Sequence, residues 1–417
     1  MKYLRFTLVL LVTALGVAHA QDEDRRRPPT EIPDFSNLDE YIYEPKSIMT
    51  LGIRHLSSAK SSFSGGGTIV STLDNPGPAT GANLLRNYHD GTLQPDARFA
   101  ARVDTSGNPV VDPTSGNQIF DRVAPDGKTN TWAYAHPSQV SDNGFLVYNA
   151  YSARITDPTI RDEETLPSSG LDLSVSRDMG KLFGTKLGWY IVAGMSVTDI
   201  SADRHEYVRA DITTESDYYS LFGQTPPGPP YASPSTKNTT LVDSAGQPIL
   251  TDDGVPQVVI ADTSILLANA PAARITTVIT DETSVWNRWK LKGAFYTFRL
   301  GPTIVVPVFS KLQMTFSAGP ALIYSGTSYT VTQNLAPATG VEITDTGIDV
   351  AYKLLPGYFA DASLQFNLTD RTGFYAGALY QSAGTYDQHL NNASSQYSTR
   401  VDFANQSGMR AGMTYRF

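Results

Sequence analysis

Five histidines lie beyond the first twenty residues: His55, His89, His136, His205 and His389. An imidazole titrates near neutral pH, so with a serine in hydrogen-bond reach it can serve as the base of a hydrolytic nucleophile. No spacing in the chain joins a particular serine to a particular histidine. His55 follows Arg54, and His205 follows Asp203-Arg204. Asp162-Glu163-Glu164 and Asp252-Asp253 could offer oxygens to calcium, but neither has the spacing of a calcium-binding loop. Solvated surface groups are the expectation for all of these. Neither a catalytic residue, a metal nor a cofactor is expected; a lipid hydrolase at an outer rim is the alternative.

The segments that would position any such group alternate in polarity. Counting back from Phe417 in steps of two gives Tyr415, Met413, Ala411, Met409 and Ser407 on one face, against Arg416, Thr414, Gly412, Arg410 and Gly408 on the other. Successive side chains of a strand point to opposite faces, so this is a strand with one apolar face. Leu187 to Val197, Leu312 to Tyr324 and Tyr358 to Leu368 repeat the pattern. Pro320 interrupts one of them and predicts a bulge, since proline cannot donate to a ladder. The stretch 289–300 alternates poorly, and its faces stay unassigned.

Candidate strands are 47–59, 168–183, 186–203, 286–305, 311–333, 347–368, 371–388 and 398–417. Short connections at 184–185, 307–310 and 369–370 alternate with long ones near 60–167, 204–285, 334–346 and 389–397. Tight turns on one side and long loops on the other are the asymmetry of a transmembrane up-and-down barrel. The apolar stretch 145–155 reads as part of a hairpin above the membrane. The expected fold is therefore an all-β antiparallel barrel of eight strands, with ten as the alternative. Its inward charges would be Arg54, Asp361, Asp402, Arg410 and Arg416, which must pair because an isolated buried charge is costly. A narrow eight-stranded interior filled by side chains would be plugged. Aromatic belts are expected from Trp189, Trp286, Trp289, Tyr329, Tyr352, Phe366 and Phe374.

The first twenty residues, MKYLRFTLVLLVTALGVAHA, read as a secretory signal peptide: Lys2 and Arg5, a short apolar run, then Ala18-His19-Ala20. Residues 21–46 are charged and proline-bearing and read as a periplasmic tail, with 47–417 as the barrel. The formal net charge is −9, and loss of Lys2 and Arg5 makes it more negative, which disfavours nucleic acid as a partner. There is no cysteine, so no disulfide framework. Beyond the leader no apolar run is long enough for a membrane helix. Within the long loops, Gly65-Gly66-Gly67 reads as a linker, and DTSGNPVVD (104–112) resembles DSAGQPILTD (243–252), each with the Asp-x-x-Gly of a hairpin turn.

The last strand with its terminal Phe417 resembles the insertion signal of bacterial outer-membrane barrels, with Met409, Met413, Tyr415 and Phe417 as its apolar positions. The chain as a whole resembles the small OmpA/OmpX-type and related porin-like barrels over about half its length; the large loops fall outside that resemblance. It implies the bacterial outer membrane, with lipid, lipopolysaccharide and the barrel-insertion machinery as partners. The expected function is surface display, with the loops binding an unknown extracellular ligand. The alternative is a passive channel for small polar solutes.

Overall fold

The computed structural model describes residues 46–417 apart from 58, 72, 97, 115, 117, 165–167, 234–235, 241–246, 248–257, 263–264, 338–341 and 393–394. The expected leader, the tail up to residue 45, Asp252-Asp253 and nearly all of 243–252 lie outside the described residues.

Thirteen strands share the main sheet. They are β1 (Ser47–Leu56), β2 (Lys60–Val70), β3 (Phe145–Ile155), β4 (Arg161–Glu164), β5 (Ser168–Lys181), β6 (Gly188–Ser220), β7 (Ala273–Pro307), β8 (Leu312–Leu335), β9 (Ile343–Asn367), β10 (Thr372–Ala383), β11 (Thr385–Asn391), β12 (Ser395–Asp402) and β13 (Gln406–Arg416). The fold is all-β and the pairings are antiparallel. Eight of these strands pair in a cycle: β1 with β5 and β13, β13 with β10, β10 with β9, β9 with β8, β8 with β7, β7 with β6, and β6 with β5.

Thirteen exceeds the eight or ten expected because the long connections are themselves strands. β6 runs 33 residues and β7 runs 35, whereas about 10 tilted residues cross a bilayer. They stay paired from Gly188↔Val305 to Tyr218↔Ala273. Much of the stretch expected as loop, 204–285, is thus the continuation of two strands. β3, the 145–155 segment, pairs with the far part of β6 (Ala210↔Ile155 to Ser220↔Phe145). β2 then joins β3 to β12, and β12 joins β11. Gly65, Gly66 and Gly67 lie within β2 opposite Tyr397, Gln396 and Ser395, so they are ladder residues rather than a linker.

One end of the cycle holds the tight turns: Leu182–Gly184, the Leu312 N–H to Phe309 C=O bond at 3.2 Å, and the Thr369 N–H to Thr372 C=O bond at 3.1 Å. At that end the first and last strands meet, with Ser47 and Phe417 exchanging N–H to C=O bonds of 3.0 and 2.9 Å. Pro320 causes no bulge. The β7 to β8 ladder skips 300–302 and resumes in the same register, Arg299↔Ala321 then Thr303↔Ser317. Pro302 and Pro320 lack donors in this stretch. The strands still run close, since a Cβ on Gly301 would lie 2.2 Å from the Ala318 carbonyl oxygen.

Beyond the other end, Arg86–Tyr88, Gly91–Leu93, Trp132–Tyr134 and Tyr231–Ala232 form a separate four-stranded sheet. Its core is Tyr88, Leu93, Trp132, Tyr134, Tyr148 and Tyr219. The Asp104 carboxylate accepts from the Ser106 and Asn108 N–H groups at 2.8 and 2.9 Å, and Gly107 takes φ +84, so the Asp-x-x-Gly reading of that turn holds.

Candidate functional site

The buried face of the cycle changes character along its length. On the turn side it is polar: Asp172, Ser174, Ser196, Thr198, Thr297, Arg299, Thr315, Ser317, Asp361 and Arg410 are all buried. On the loop side it is mainly apolar: Ile200, Val208, Val285, Trp289, Leu291, Phe295, Ile323, Tyr329 and Val331 are buried in one cluster. The exposed face changes in the opposite sense. Leu51, Ile53, Leu171, Val175, Ile191, Phe298, Leu300, Phe316 and Leu322 are exposed on the turn side. On the loop side the same faces of β6 and β7 carry Asp199, Ser201, Asp203, His205 and Lys292, while β9 keeps Ile348 and Val350 exposed. This inversion explains why 289–300 resists assignment by polarity. Its odd positions are buried apart from half-buried Gly293, but they change from Trp289, Leu291 and Phe295 to Thr297 and Arg299.

Two ion pairs occupy the polar interior. Arg410 Nη2 donates to Asp361 Oδ1 at 2.5 Å, and Arg299 Nη2 donates to Asp172 Oδ1 at 2.5 Å. Arg54, 1 % exposed, donates to Thr198 Oγ1 at 2.7 Å, to Gln381 Oε1 at 3.3 Å and to Thr297 Oγ1 at 3.3 Å. Its guanidinium lies 5.6 Å from the Phe295 ring centre, where the polar and apolar zones meet. Beside the network is a cavity of ≈ 40 Å³ bounded by hydroxyl side chains, among them Thr50, Ser174, Thr303, Ser317 and Tyr375.

Arg54, Asp361 and Arg410 are all buried. Arg416 sits at the turn end and donates to the amide oxygens of Gln313 (3.3 Å) and Asn367 (3.1 Å). Asp402 does not belong to the network. The last segment breaks at Phe403-Ala404-Asn405 between β12 and β13, so the alternation counted back from Phe417 does not carry through. Asp402 lies instead in a pocket with Lys60, Asp162, Glu163 and Arg400. Asp172 and Arg299 were missed. The alternation of 168–183 does group Asp172 with Ser174, whereas Arg299 lies in the stretch whose faces were unassigned.

Two expected belt residues are interior. Phe63 stacks on Trp289 and Tyr329 with ring centres 6.4 and 5.9 Å apart. Both rings face inward because the interior at their level is apolar. Tyr352, Phe366 and Phe374 are exposed, Trp189 and Trp286 partly so. Met409, Met413, Tyr415 and Phe417 share one exposed face.

Above the cycle, Arg161 of β4 pins the outer layer. It donates to Asp157 Oδ2 at 2.7 Å and to Glu206, and lies 4.9 Å from the Trp289 ring centre. In the separate sheet Tyr88 donates to Asp217 Oδ2 at 2.5 Å, and Arg274 clamps that carboxylate with two bonds of 2.7 Å. Burial, helped by the Tyr219 hydroxyl and by Asp217, pushes the Tyr88 phenol well above its ordinary value. These groups fix the loop structure in place.

His55 Nδ1 and Ser169 Oγ are 3.0 Å apart across β1 and β5, both exposed. Among the described residues no group of three or more His, Asp or Glu side chains is placed to hold a metal ion.

No protein family matches the chain, and no curated protein does. Solved structures that match it include the following two. The outer membrane protease OmpT from Escherichia coli matches at 9% identity with a TM-score of 0.28, covering 89% of this chain and 97% of that one. A Pseudomonas aeruginosa FadL homologue matches at 10% identity with a TM-score of 0.18, covering 89% and 90%. Superpositions this loose carry no argument about activity, so the functional reading rests on this chain's own geometry.

Proposed function

We propose that the chain is an integral outer-membrane protein whose eight-stranded cycle closes as a barrel, and that it displays a folded extracellular layer which binds a partner. The inversion of polarity along the strands carries this reading. A wall that is apolar outside and polar inside, then polar outside and apolar inside, suits a cylinder whose lower half stands in lipid and whose upper half stands in water. The full pairing of each cycle strand supports it too, because lipid tolerates no unpaired sheet edge. Tight turns face the periplasm in this reading, and the layer built from β2, β3, β4, β11, β12 and the separate sheet faces outward.

The same interior argues against conduction. Two ion pairs and Arg54 fill the lower half, the Phe63, Trp289 and Tyr329 stack fills the upper half, and the cavity of ≈ 40 Å³ on the turn side of the ion pairs has room for a few waters at most. The test is to refold the chain into a planar bilayer, verify folding by a heat-modifiable gel shift, and record current. A folded, silent protein is the expected result. Steady uniform steps would replace display by a channel.

The His55 and Ser169 contact supports a second reading, an ester hydrolase working on lipid at the outer rim. Ser169→Ala would then abolish ester cleavage by the folded protein. Equal cleavage by both forms, or none by either, removes that reading.

A further inference from the structure

On the exposed face of β7, Arg288, Lys290 and Lys292 alternate with the buried Asn287, Trp289 and Leu291. Alternate residues of a strand are about 7 Å apart, so three cations stand in one row. They face away from the interior, immediately beyond Tyr296, Phe298 and Leu300 of the apolar zone. Tyr296, Tyr324 and Tyr352 run across β7, β8 and β9 just below, with neighbouring ring centres 6.5 and 6.3 Å apart. Such an aromatic row marks the level of lipid headgroups.

The row is short of counter-charge. Arg288 is taken by Asp203, its Nε donating to Oδ1 at 2.8 Å. Across the ladder, Lys290 faces Asp203 and Thr330, and Lys292 faces Ser201 and Ser328. Among the described residues neither lysine has a carboxylate within salt-bridge distance. With Asp203 shared by Arg288 and Lys290, the row of three cations carries two positive charges in excess, which an outside anion would balance. Ammonium donors beside Ser328 and Thr330 hydroxyls suit an anion with several acceptor oxygens, and a phosphate is one.

We infer that Lys290 and Lys292, with Ser328 and Thr330, form a docking site for the phosphate of a lipid headgroup in the leaflet on the loop side. This rests on the membrane reading above. The lysine stems lie along the wall while the ammonium groups reach the headgroup plane, where each cation gains more from a phosphate than it would in bulk water. The acyl chains of the same lipid then lie on the apolar wall below.

The experiment uses the full folded chain, inserted into phosphatidylcholine vesicles, and titrates diphosphorylated lipid A or the same lipid after enzymatic dephosphorylation. The expected result is preference for the phosphorylated lipid. That preference falls about 30-fold in Lys290→Gln/Lys292→Gln. It persists in Lys290→Arg/Lys292→Arg and in Lys181→Gln/Lys186→Gln, which alters cations at the turn end. Should the glutamine pair fail to fold, the arginine pair and the two lipids still decide the matter with folded protein. Equal binding of the two lipids, or an unchanged affinity in the glutamine pair, overturns the site while leaving the barrel intact. Inorganic phosphate binding as tightly without vesicles overturns the lipid assignment. A chain that never inserts overturns the membrane reading and this site together.

Discussion

Turn-side residues of the cycle hold their interior with Arg410 on Asp361 and Arg299 on Asp172, while loop-side residues hold theirs with Phe63 between Trp289 and Tyr329. β7 supplies both Arg299 and Trp289, so no difference of backbone accounts for it. What differs in the proposed setting is the surrounding solvent. Against lipid, apolar side chains gain little by turning inward, and a polar interior is acceptable if every charge is paired. Against water, apolar side chains gain roughly 25 cal/mol per Å² by turning inward, so the core of an ordinary soluble sheet returns. Each half should therefore fail in its own way.

The largest effect is expected where a charge is left alone. Arg299→Met strands the Asp172 carboxylate, which is 0 % exposed, and should cost about 3–5 kcal/mol in urea unfolding from vesicles. Asp172→Leu/Arg299→Met removes both charges and should recover most of that loss. A double variant as unstable as the single one would mean the pair is needed for more than mutual neutralisation.

Phe63→Ala tests the other half. Truncating a buried Phe costs about 3 kcal/mol at the low end of the usual range, and β2 belongs to the outer layer rather than to the cycle. Protease should then cut the loop-side layer, while the heat-modifiable shift of the lower half survives. Simultaneous loss of both would show the halves to be one cooperative unit.

The same contrast decides what was legible in the sequence. Turn-side segments such as 407–417 and 358–368 alternate cleanly, one face apolar and exposed and the other polar and buried, so the side that carries Arg54, Asp361 and Arg410 is legible. Past the inversion the buried face stays on the same parity but its chemistry reverses. Trp289 and Tyr329 then look like belt residues, and 204–220 looks like loop although it is strand. Asp402 was misplaced for a related reason: a break at 403–405 resets the alternation, and nothing in those three residues marks it. The His55 and Ser169 contact joins strands more than a hundred residues apart in sequence, so only the register of β1 on β5 reveals it.

A smaller effect is expected from Arg161, the fastener of the outer layer. Arg161→Met leaves Glu206 and Asp157 with one partner fewer and removes a cation from the Trp289 ring. Loss of a charge-assisted bond is worth about 1.5–3 kcal/mol, and this variant should loosen β4 from β2 without touching the lower half. Faster hydrogen exchange confined to 157–164 and the facing 60–63 is the expected signature.

The smallest effect is a dependence on acid. Burial alone would raise the Asp157 pKa, but bonds from the Thr159 side chain and N–H and the Arg161 guanidinium outweigh it and hold the value at about 2. A carboxyl lowered in the folded state stabilises that state at every pH above its unfolded value, about 3.9. That contribution drains away as pH falls through about 2. Protease sensitivity of the outer layer should thus begin to rise below pH of about 4, with the lower half unaffected. In Arg161→Met the Asp157 pKa moves back toward its ordinary value, so the dependence should flatten. If the wild-type and Arg161→Met profiles superimpose, neither Arg161 pair ties the layer to acid.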